Sequence, residues 1–156
     1  MEHNQFLNQV FLASLSIRYE TTKIEHEISD KHVEDGFSEV NVFECKDTSY
    51  QIFVGKRGYF NEFFVVQDGA EVNTLNDPKL VATVIEIVLT QGPMRVVDTM
   101  ENSITWKHLF NIIATVKPIH VGYTECYGNG FHVFVVQKRH PSLIPLKINK
   151  PLKIVL

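Results

Sequence analysis

Cysteine is scarce in this chain. Its 156 residues hold two, Cys45 and Cys126, with neither a CxxC spacing nor the dense framework of a small secreted scaffold. That argues against a disulfide-built fold and points to a reducing, cytoplasmic compartment, with both thiols on strands or in the core. No stretch approaches the ~20 consecutive apolar residues that span a bilayer, so no membrane association is expected. Residues 1–5 lack the basic start of a signal peptide, and polar residues interrupt the stretch 6–15. Chemical motifs are missing as well. There is no HExxH, no P-loop, no GxSxG elbow and no glycine-rich dinucleotide fingerprint, so neither a metal nor a cofactor is expected.

What is present is an ordinary globular composition, 44% hydrophobic and 21% charged, at a length that fits one domain over 1–156. The formal charge of −3 hides a division along the chain. Residues 20–47 carry nine acidic side chains against three lysines, whereas residues 117–156 carry six Lys or Arg against the single Glu125. The plain interpretation is that these fields face each other or are solvated surface; the sharper one is a basic face for an acidic partner.

The segment Phe63-Phe64-Val65-Val66-Gln67 returns as Val133-Phe134-Val135-Val136-Gln137, and Gly58 and Gly128 precede the two copies at equal distance. Flanks that disagree favour convergence on a buried-strand vocabulary, with an internal duplication around 40–67 and 119–137 as the alternative. Alternation predicts strands over 40–45, 50–54, 59–67, 119–126 and 131–137. Turns are expected at 46–49, at Gly55-Lys56-Arg57-Gly58 and at Gly128-Asn129-Gly130. Helical spacing begins near Phe6 and ends near Ser16, competing with alternation from Ala13 toward Glu25. Asp77 as cap, Pro78 in the first turn and Gly92-Pro93 as stop bracket a helix over 78–90. A second helix is expected over 103–116, entered near Asp98, Thr99 or Asn102, with Ile104, Trp106, Leu109, Phe110, Ile112 and Ile113 supplying its apolar side and Trp106, Leu109, Phe110 and Ile113 in the core. The fold class is α+β: a mainly antiparallel sheet covered by two or three helices.

Candidate chemistry is sparse. His120 and His132 flank the turn at 128–130, and two imidazoles close together could move protons or grip phosphate, with Lys138 or Arg139 stabilising an anion. The His-x-Thr/Ser repeat of two-histidine phosphoesterases is absent, so a small hydrolase or phosphoester-processing enzyme is the alternative reading. His26 and His32 among acidic residues have no metal-ligand spacing. Gly55-Lys56-Arg57-Gly58 lacks P-loop order. Nucleic acid is a less favoured partner than protein, because the aromatic residues near Lys138-Arg139 are also needed for a core. The preferred reading is a non-enzymatic protein-interaction or regulatory domain of unknown partner. Eight apolar residues between Leu143 and Leu156, punctuated by Pro145 and Pro151, predict a tail packed on its own body or on a second copy in a homodimer.

Overall fold

The computed structural model describes residues 9–24, 28–125 and 131–138. Residues 9–13 are helical (α1) and tighten into a 3-10 turn at Ser14–Ser16; strand β1 follows at Thr21–Ile24. Helix and strand thus share the segment for which both patterns competed. A short helix α2, Asp30–Glu34, starts at Ser29, whose side chain accepts from the His32 amide. It lies in the acidic segment, where a solvated stretch was expected.

Strands β2 (Glu39–Cys45), β3 (Tyr50–Arg57) and β4 (Phe60–Gln67) form an antiparallel meander. The expected turn at 55–58 is corrected: β3 runs on through Gly55, Lys56 and Arg57, and the reversal comes at Gly58, with φ of 69°. Asp68 and Gly69, both at positive φ, turn the chain back into the two-residue strand β5, Ala70–Glu71. It pairs with β4 on the side away from β3.

Helix α3, Pro78–Gln91, has the predicted bracket: Asp77 Oδ1 accepts from the amides of Lys79 and Leu80, and Gly92 ends the helix at φ 96°. Strand β6, Met94–Asp98, was not anticipated. Helix α4, Met100–Ile113, begins three residues earlier than expected because Thr99 caps it through the Asn102 amide. The hairpin β7 (Ile119–Glu125) and β8 (Phe131–Gln137) completes the sheet. Cys126, the 128–130 turn, Arg139 and the proline-containing tail lie outside the described residues.

The sheet is mixed but mostly antiparallel, in the order β1-β2-β3-β4-β6-β8-β7, with β4–β6 the parallel junction. Helices α3 and α4 cover one face. Ile52, Val54, Val65, Met94, Val96, Val133 and Val135 meet Leu80, Val84, Val88, Trp106, Phe110 and Ile113 there in one core. Trp106 is 1% exposed and touches Phe63 and Phe110. Cys45 is a buried strand thiol of this core. Both FVVQ copies put their first valine into the core and their phenylalanine on the opposite face, which strand alternation alone produces. No helix among the described residues is long and apolar enough to cross a membrane.

Candidate binding surface

Side chains alternate across a strand, so the residues between those of the core occupy the face without α3 and α4. Cross-strand partners share a face, which makes the pairing register a map of that surface. Ile24, Val42, Phe53 and Phe64 stand side by side across β1 to β4. Continuing from the Asn61–Met94 pair, Val97 of β6 comes next, followed by His132 and Thr124. The result is an apolar stripe across the sheet, buried at Val42 (3% exposed), with Phe53 and Phe64 stacked at 4.9 Å. The neighbouring row reads Val40, Gly55, Glu62, Arg95, Phe134 and Gly122. Phe37 covers Gly55, where a Cβ would lie 2.6 Å from its ring, and the Arg57 guanidinium sits 4.7 Å from the same ring. Phe60 touches Phe134 across β6 at 5.0 Å.

Glu62 is the electrostatic centre of this face. Arg57 Nη2 donates to its Oε1 at 2.8 Å, Arg95 Nε donates to its Oε2 at 3.0 Å, and Arg95 Nη2 reaches the same oxygen. Burial alone would raise the carboxyl, but the two arginines, through hydrogen bonds and charge, outweigh it and hold Glu62 below its ordinary value. Arg57 also donates to the Asp35 carbonyl at 2.7 Å. Nothing local in the sequence reveals this group: Arg57 reads as part of a turn, and Arg95 lies on the unanticipated strand.

The two predicted histidines share one face without being brought together. His120 stands opposite Val136 and His132 opposite Thr124, so both imidazoles belong to the face without α3 and α4. They are offset by four residues, about 13 Å along the strands, too far for one anion to bond both. Equal distance from the turn was the premise of their pairing, and the register does not give it. Burial, assisted by the charge of Arg95 and opposed by Glu62, lowers the His132 pKa and favours the neutral ring. Lys138 is exposed just past β8, and its amide donates to the Pro118 carbonyl at 2.7 Å. Arg139 is outside the described residues.

Two recesses flank the face. Where β4 and β6 part, a cleft of about 400 Å3 runs between Phe64 and Val97, with Val96, Asn73, Asp98 and Asn102 in its lining. Asp98 Oδ1 is committed to the start of α4, accepting from the Thr99 amide and Asn102 Nδ2. A hollow of about 510 Å3 lies by the β2–β3 turn beside Cys45 and Tyr50. Burial, with nearby Asp77 adding, pushes the Cys45 thiol up to about 11, so it stays protonated and unreactive near neutrality. Asp77 Oδ2 accepts from the Tyr19 and Tyr50 hydroxyls at 2.9 and 3.1 Å. Burial and that carboxylate push Tyr19 up to about 12 and Tyr50 in the same direction, which marks a structural anchor for α3. Among the described residues, no group of three or more His, Cys, Asp or Glu converges on a metal position.

Comparison of the chain with protein-family models, curated proteins and solved structures finds no match.

Proposed function

We propose that the chain is a non-enzymatic protein-interaction domain that binds an apolar partner on the sheet face without α3 and α4. The observation that carries this reading is the apolar stripe beside Arg57 and Arg95, which Glu62 holds in place; with Glu44 and Glu71 on the same face its charges are balanced. Aromatic and arginine side chains are the residue types that concentrate binding energy at protein interfaces. Val40 and Val42 are already buried, at 6% and 3% exposure, so the open part of the face runs from β3 to β7. Five strands at ~4.8 Å spacing and four rows of side chains make it about 20 Å by 20 Å, on the order of 400 Å2 and about half of the ~800 Å2 each partner contributes to a standard interface. The cleft between Phe64 and Val97 offers a slot for one partner side chain.

Selection of random peptides on the full chain tests this. Enrichment of aromatic or branched apolar residues is expected, and Val97→Asp should weaken the selected peptides at least tenfold. Val97 is 46% exposed and belongs to no ion pair, so unfolding should not confuse the result. Selected peptides without apolar enrichment, or that bind Val97→Asp equally well, would remove the reading.

A further inference from the structure

The two edges of the sheet are built differently. Strand β1 has four residues, carries Lys23 in its interior, and is flanked by the Lys46–Glu20 ion pair at 3.4 Å. These are the features with which proteins keep an edge from recruiting another strand. Strand β7 has seven residues, and from Ile119 to Thr124 it contains no lysine, arginine or proline. The Lys138 amide donates to the Pro118 carbonyl, which directs the main-chain groups of even-numbered β7 residues toward β8. Those of Val121 and Tyr123 therefore point away from the sheet.

Helix α4 adds a second, independent observation at the same edge. Lys107 Nζ lies 4.8 Å from the Tyr123 ring, so that side of α4 overlooks β7. Ile104 and Met100 precede Lys107 by three and seven residues and share its side of the helix. Both are large, apolar and exposed, at 41% and 53%. Among the described residues, an open strand thus lies beneath an uncovered apolar strip.

We infer that this edge is the interface for a second copy of the chain, with β7 pairing antiparallel to its own symmetry mate about an axis at Gly122. The sequence is self-complementary in that register. Val121 faces Tyr123 of the mate, and each such pair exchanges both main-chain hydrogen bonds. His120 faces Thr124 on the helix-free side, and glycine meets glycine on the axis, where no side chains collide. The two α4 strips then come together over the joined edge, covering Met100 and Ile104. This inference is independent of the partner proposed for the helix-free face.

Sedimentation equilibrium of the full chain over a wide concentration range gives the test, read against the 17.9 kDa chain mass. A dimer is expected, and Val121→Pro and Ile104→Asp should each raise its dissociation constant at least tenfold. Proline at 121 deletes an outward amide and leaves the β8 ladder intact. Ile104→Asp decides the matter if the proline variant fails to fold. Hydrogen exchange should show the Val121 and Tyr123 amides losing protection on dilution. A chain that is monomeric at every concentration, a dimer indifferent to Ile104→Asp, or amides equally protected in the monomer would each overturn the inference.

Discussion

Strand β4 is held on its two sides in opposite ways. Toward β3, every residue from Tyr50 to Arg57 has a partner on β4; toward β6, the register is the single pair Asn61–Met94. A hairpin inherits its register from a tight turn, whereas a parallel neighbour must be delivered by a crossover, here α3. Side chains secure the second junction where the ladder does not. Asn61 Nδ2 donates to the Gln91 and Pro93 carbonyls at 3.0 and 3.2 Å, and Glu62 joins Arg95. Phe60 reaches past β6 to Phe134, and Phe63 packs on Trp106. The comparison teaches that stability here is main-chain on one side of β4 and side-chain on the other, so mutations should act unequally.

The largest effect is expected from Trp106→Ala. It empties the core behind the parallel junction and should cost about 3–5 kcal/mol in denaturant unfolding. Unchanged stability would mean that the indole does not support this side of β4. Glu62→Ala should cost about 1–3 kcal/mol, because it leaves two guanidinium groups adjacent without their acceptor; Glu62→Gln, which keeps one acceptor oxygen, should cost less. Asn61→Ala should cost about 1 kcal/mol, while Ser49→Ala in the β2–β3 turn should stay within about 0.5 kcal/mol. Equal losses at Asn61 and Ser49 would erase the contrast.

Acid should act on the same junction. The folded pKa of Glu62 lies below its ordinary value, so its contribution is present above the unfolded carboxylate pKa. It is lost as pH falls through the lower folded value. Unfolding midpoints measured below pH 4.5 should therefore drop faster for the native chain than for Glu62→Gln. His132 has the same sign in a higher window: its pKa is lowered from 6.5, so acidification through and below that value favours the unfolded chain. Substituting His132 with Gln should flatten the profile there, the smallest of these effects. A native profile already flat in that range would contradict it.

Much of the fold was legible where local signals agreed with burial. Asp77, Pro78 and Gly92 bracketed α3 because cap, first-turn proline and terminating glycine each act within a few residues. The three- and four-residue spacing of Trp106, Leu109, Phe110 and Ile113 marked a face that the core does bury. Strand β6 was not legible, since Met94–Asp98 is short, follows Gly-Pro and contains Arg95. Gly55 looked like a turn residue but is a strand position made small for Phe37, a contact 18 residues away. Of the candidate surface, the Arg57–Glu62–Arg95 group was not legible, whereas His120 and His132 were, as separate residues. Their common face follows from alternation, but their separation depends on register, which is set by pairing across the sheet and not by composition near the turn.

The two-residue strand β5 has a consequence for the order in which the chain is made. Among themselves strands β1 to β4 pair only as sequence neighbours, so this meander can close while later residues are still being synthesised. Strand β4 then presents an open margin until α3 and β6 have emerged. By folding back on Val66 and Gln67, with the Val72 amide donating to the Val65 carbonyl, β5 shields part of that margin during the wait. It occupies the stretch of the β4 margin where another chain would otherwise find a template. Pulse-labelled hydrogen exchange during refolding should protect Val54 and the Val72 amide before Val96. Simultaneous protection would assign β5 to the finished fold alone.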